Sequence, residues 1–128
     1  MTEHYHAIVW IDHREAKIFH FNSEDADKAI VPSHASNHHL HHKANTPGSG
    51  HLGVDKEFFK RVVAALSHTG AILLTGPAIA KTELNHYMQE HRADPAKRIS
   101  AVETLDHPSD GELVALARKF FKADDRMH

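Results

Sequence analysis

The stretch "HHLHHKANTPGSGH", His38 to His51, holds five histidines, one lysine and two glycines, and no acid. Neutral imidazole is a common metal ligand. On an extended chain His39 and His41 share one side, as do His38 and His42. Zinc takes about four ligands in a tetrahedron, each held in orientation by a further partner. A histidine loop of this kind can take up Zn or Ni, with His39 and His41 as the first candidates. The same residues offer a second chemistry. From Lys28 to Val54 there is no Asp or Glu, but two lysines and six histidines. Such a stretch becomes more cationic in mild acid and suits an anionic partner such as RNA phosphate. The bland alternative is a solvated loop with no task.

Carboxylates are the other reactive groups. Asp12 closes an apolar run, and Glu103, Asp106 and Asp110 lie near the last expected strand and helix. If they converged they could hold the ions of a metal-dependent nuclease, since two-metal phosphoryl chemistry needs several carboxylates in one place. Otherwise Asp12 is a turn residue in "DHRE" and Asp110 an acid at a helix start.

The segment "ILLTGPAIAKTEL" has the outline of a phosphate loop but lacks its second glycine. Pro77 also removes a backbone N–H that would wrap a phosphate. It reads as a tight turn feeding a helix, with Lys81 exposed in the first turn. A lysine there opposes the helix dipole, which favours a contact with a phosphate backbone. Neither Gly-x-Ser-x-Gly nor His-Glu-x-x-His occurs, so the common hydrolase motifs give no support.

These residues need a scaffold. The 128 residues, 41% hydrophobic, suit one domain with a real core. No cysteine is present, which removes disulfides and thiolate metal sites and fits a cytoplasmic setting. No apolar run approaches the ~20 residues of a membrane span, and the N-terminus has no basic leader. A formal net charge of -2 excludes a strongly basic nucleic-acid binder, so any cationic surface must be local.

"YHAIVWID", Tyr5 to Asp12, is rich in β-branched and aromatic residues and reads as a buried strand. In "AKIFHF", Ala16, Ile18 and His20 alternate with Lys17, Phe19 and Phe21, which predicts a hairpin partner. "AIVPSH" opens a third strand, and Pro32 places it at an edge or bulge. A Pro- and Gly-rich loop follows. Asp55 suits the N-cap of a helix whose apolar face carries Phe58, Phe59, Val62, Val63 and Leu66. "AILLTG" is wholly apolar and predicts a central strand covered on both faces. A helix follows with Leu84, Tyr87, Met88 and His91 on one face, ended by Asp94-Pro95. After the strand "RISAVETL", Ser109 and Glu112 make a capping box for a helix with a stripe of Leu113, Leu116, Ala117, Phe120 and Phe121.

The order β-β-β-α-β-α-β-α predicts a single α/β domain. Its mixed sheet has three antiparallel strands, then parallel ones joined by right-handed crossovers. That is the element order of a ribonuclease-H-like fold. Pro32 argues against sheet extension between copies, and oligomeric state stays open.

The ordered set of motifs resembles a known family. An opening strand ending in Asp, then "REAKIF", is similar to the start of the central domain of the eukaryotic and archaeal peptide-chain release factor and its relative Pelota. In that domain a basic loop, roughly Lys-His-x-x-Gly-Gly-Gln, follows the third strand. A helix and a strand closing in Gly-Pro-x-x-x-Lys come next, here "LLTGPAIAKTEL". The segments "WIDHREAKIF", "HHLHHKA", "GSGH" and "DHPSDGELVALARKFF" resemble the small bacterial single-domain relatives labelled translational machinery proteins. The resemblance covers nearly all of residues 1–128, with the histidine loop at about 34–54.

The resemblance implies a translation-factor-like module whose partner is the ribosome or tRNA, in rescue, release or hibernation, with no required cofactor. The RNA contacts it points to are His38, His39, His41, His42, Lys43, Gly48, Ser49, Gly50, His51 and Lys81. The release-factor loop carries a Gln that positions water for ester cleavage. Here Gly48-Ser49-Gly50-His51 stands in its place without one, so the expectation leans away from an enzyme. If catalysis occurs, His51 is the candidate base for an esterase and Asp12 the candidate acid for a nuclease.

Overall fold

The structure is a computed structural model that describes residues 6–22, 24–33, 56–66 and 69–127, the stretch 123–127 as backbone only. Among the described residues nine elements follow in order: β1 (His6–Ile11), β2 (Glu15–Phe21), β3 (Ala26–Pro32), α1 (Lys56–Ala65), β4 (Ala71–Gly76), α2 (Ala80–His91), the short α3 (Ala93–Ala96), β5 (Ile99–Thr104) and α4 (Asp110–Met127). The expected α/β domain is observed, with α3 as the one unforeseen element among the described residues. It forms where Pro95 occupies the first turn of a helix, a position that tolerates a missing N–H. Tyr5, Val54 and Asp55 lie outside the described residues.

The five strands form one sheet in the order β3-β2-β1-β4-β5. β1–β2 and β2–β3 are antiparallel, whereas β1–β4 and β4–β5 are parallel. Both early turns use the same local device. Asp12 Oδ1 accepts from the backbone N–H groups of Arg14 and Glu15 at 2.8 and 3.0 Å. Asn22 Oδ1 does the same for Glu24 and Asp25 at 2.8 and 2.7 Å. A short polar side chain thus replaces backbone partners in the turn, which is why Asp and Asn recur there.

The period-two pattern buries both faces of the sheet. Ala7, Val9, Ile11, Ala16, Ile18, Ile72 and Leu74 pack under α1, α2 and α3. Ile8, Trp10, Phe19, Phe21 and Leu73 pack under α4, through Leu113, Ala117 and Phe121. β4 is buried along its length, as its apolar run predicts. Its one interior polar group, the Thr75 hydroxyl, donates to the Val9 carbonyl at 2.8 Å. β3 is an exposed edge strand, and Pro32 is its last residue. The Ser109–Glu112 capping box is present in both directions, at 2.8 and 3.2 Å.

Three side chains depart from the expected faces. Leu116 is 37% exposed, because α4 meets the sheet through the narrower ridge Leu113, Ala117 and Phe121. His91 is exposed at the end of α2. Lys81 is the larger correction. It was expected on the surface and is only 8% exposed. With Leu84 and Met88 it follows the spacing i, i+3, i+7, which points it at the core. Its ammonium donates to the Ala78 carbonyl at the helix start.

Candidate functional site

Parallel strands gather their C-terminal ends on one side, and the ends of β1, β4 and β5 meet there. The antiparallel hairpins bring the start of β2 and the finish of β3 to the same place, with Glu15 opposite Pro32. α2 and α4 begin there too, which turns the positive ends of two helix dipoles toward this edge. Ser33 is tied to it by a backbone bond to the Arg14 carbonyl at 2.9 Å. From Ser33 the chain passes into residues 34–55, which lie outside the described residues. His38, His39, His41, His42, Lys43, Gly48, Ser49, Gly50 and His51 all belong to that stretch.

The sheet end carries a cleft of about 320 Å³ lined by Trp10, Asp12, Arg14, Glu15, Lys17, Pro32 and His107. Trp10 forms its core. The indole Nε1 donates to the Asp106 carbonyl at 2.8 Å and so fastens the β5–α4 loop to β1. The Gly76 carbonyl accepts from Leu105 N–H at 2.9 Å and holds the same loop from the other side. Lys17 Nζ sits 5.4 Å from the indole centroid, and the His107 ring lies 5.1 Å away at 56°. Its Nδ1 is 3.0 Å from Asp106 Oδ1, so a carboxylate and an indole together orient the imidazole.

Beside the cleft, Asp110 meets two lysines, with Lys28 Nζ at 2.5 Å and Lys17 Nζ at 3.8 Å. The hydrogen bond from Lys28 holds the Asp110 carboxyl below its ordinary value, outweighing the opposing effect of burial, and the charges of Lys28 and Lys17 add to it. Asp110 is thus held between two ammonium groups at the flank of the sheet.

The carboxylates weighed as metal ligands are occupied differently. Asp12 is a turn former through Oδ1. Asp110 faces the lysines. Glu103 is exposed on the edge strand β5, and Asp106 holds His107. Among the described residues no group of three or more His, Asp or Glu side chains is placed to hold a metal ion. Converging carboxylates, the feature a two-metal nuclease requires, are therefore not found there.

Sequence reasoning singled out Asp12 and Lys81 but passed over Trp10, Arg14, Lys17 and His107. Half of that set was accessible. A tight turn after Asp12 fixes the hairpin register, which pairs Trp10 with Lys17. His107 carries no local signal, because it reaches Trp10 from the far end of the chain.

No protein-family model matches the chain, and no curated protein is similar to it at a significant level. Solved structures do match. Archaeoglobus fulgidus Pelota aligns with a TM-score of 0.63 and 14% identity, over 89% of this chain and 30% of that one. Thermoplasma acidophilum Pelota aligns with a TM-score of 0.59 and 18% identity, over 83% of this chain and 29% of that one. An archaeal translation termination factor, aRF1, gives 0.55 and 14%, over 84% and 32%. This chain therefore shares the fold of one part of these proteins and spans about a third of their length. No helix among the described residues is long and apolar enough to cross a membrane.

Proposed function

We propose that the protein is a translation-factor-like module that docks on the ribosome or on tRNA. The observation that carries this reading is the likeness of fold to two Pelota proteins and a termination factor, over more than four fifths of the chain. The acid-free stretch from Lys28 to Val54 supports it, since a local cationic surface suits RNA phosphate on a chain of net charge -2. The docking set is His38, His39, His41, His42, Lys43 and the segment Gly48 to His51. Lys81 is left out of it because its ammonium is turned to the Ala78 carbonyl. The role is binding in ribosome rescue, release or hibernation rather than ester hydrolysis, since the loop has no glutamine. Docking needs no metal.

The test is co-sedimentation of the untagged protein with purified ribosomes at low and moderate salt. The control changes His38, His39, His41, His42 and Lys43 to Ser. Salt-sensitive pelleting that the variant loses is the expected result. A chelator that removes Zn and Ni but spares Mg should leave pelleting unchanged. Absence of pelleting at both salts would overturn the reading.

A further inference from the structure

The cleft around Trp10 combines cations, carboxylates and an aromatic face. Arg14 is exposed, and among the described residues its guanidinium makes no hydrogen bond or ion pair. Lys17 brings a second cation to the same wall. Asp12 and Glu15 bring acceptors, and Asp12 Oδ1 is already engaged by two backbone N–H groups. His107 presents an exposed aromatic face, held in place by Asp106 and Trp10. A simple anion would use the cations and be repelled by the carboxylates. A metal ion would do the reverse. An apolar ligand would use neither.

We infer that this cleft binds one unpaired ribonucleotide of an RNA strand. The phosphate lies against Arg14 and Lys17, as charge-assisted donors require. The ribose 2′-hydroxyl, the one free hydroxyl of a nucleotide inside a strand, donates to the Glu15 carboxylate, a contact that separates RNA from DNA. The base stacks on the His107 imidazole beside Pro32, as unpaired bases do on flat side chains. A volume of about 320 Å³ suits a single small ligand, at the lower end of the roughly 300–1,000 Å³ range of ligand clefts. The choice of RNA rests on the docking reading above, but the residues are different ones. None lies in the histidine loop.

The chain contains one tryptophan, so its intrinsic fluorescence reports on the cleft. The full chain would be titrated with a short oligoadenylate RNA, with its DNA counterpart and with AMP. Anisotropy of labelled strands would be followed in parallel. The expected result is a saturable fluorescence change with RNA, weaker with DNA and weaker still with AMP. Arg14→Ala, an exposed change that leaves the core alone, should weaken RNA binding about tenfold. Glu15→Ala, which removes the acceptor of the 2′-hydroxyl, should erase the preference for RNA over DNA. His107→Ala should weaken RNA binding and blunt the fluorescence response. Equal binding of RNA and DNA, or indifference to Arg14→Ala, would overturn the assignment. AMP binding as tightly as the strand would overturn the strand as its source. Ribosome pelleting without oligonucleotide binding would remove the cleft and leave the docking reading intact. Oligonucleotide binding without pelleting would do the opposite.

Discussion

Gly76 and Ile11 approach so closely that a Cβ on Gly76 would sit 2.3 Å from the Ile11 carbonyl oxygen. Both partners are buried strand ends at the edge where the cleft opens. The neighbour is backbone and cannot rotate away. Gly76→Ala must therefore push β4 from β1 or distort the turn into α2. Overpacking of this kind costs about 1–3 kcal/mol, and a rigid backbone neighbour puts this case toward the upper end. Urea denaturation should show a lower midpoint with an unchanged slope.

The capping box of α4 can be measured. Ser109→Ala removes the acceptor of the Glu112 N–H and should cost about 1 kcal/mol. Glu112→Ala removes the acceptor of the Ser109 N–H and should cost less, since both groups are exposed to water. The two bonds brace one turn, so the double variant should lose less than the sum of the singles. Denaturant midpoints of the four proteins close that cycle.

The pairing of Asp110 with Lys28 and Lys17 predicts a pH dependence of stability. The folded carboxyl ionises below its ordinary value, chiefly through the Lys28 hydrogen bond. Its contribution is therefore complete above the ordinary carboxylate range and is lost as pH falls through the depressed folded value. Asp110 is 44% exposed, so screening keeps the gain under about 1 kcal/mol. Thermal melts of the wild type and Asp110→Asn should differ at neutral pH and converge in acid. Added salt should shrink the neutral difference.

Lys81 offers a test of burial against recognition. Met has a similar length and no charge, so Lys81→Met keeps the packing beside Leu84 and Met88. Its cost should stay below about 1.5 kcal/mol. Ribosome pelleting should be unchanged, in contrast to the variant of the histidine loop. A loss of pelleting with normal stability would put Lys81 back among the RNA contacts.

Much of this fold is local in origin and was legible in the residues. The run Ala71 to Gly76 declared a central strand, because six residues without a charge have no face to give to water. Ser109 and Glu112 declared a helix start, because a reciprocal cap involves only residues three apart. Pro32 declared an edge, because a missing N–H is tolerated where no strand follows. What escaped was non-local. The alternation in β2 was visible, but not that both of its faces would be covered.

The cleft was decided by tertiary structure. Trp10 and Asp106 are 96 positions apart and meet at 2.8 Å, a contact that depends on β4 lying between β1 and β5. Strand order is set by how the helices and the five-stranded sheet share two cores, and no local pattern encodes it. The inward turn of Lys81 has the same cause. Its spacing with Leu84 and Met88 is visible in the sequence, but only the packing of α2 on the sheet turns the lysine stem inward. By itself, then, the sequence determined the strands, the helix starts, the absence of thiol chemistry and the acid-free stretch around the histidines. Only folding brought Trp10, Arg14, Lys17 and His107 to one end of the sheet, because their proximity is a property of the topology rather than of any segment.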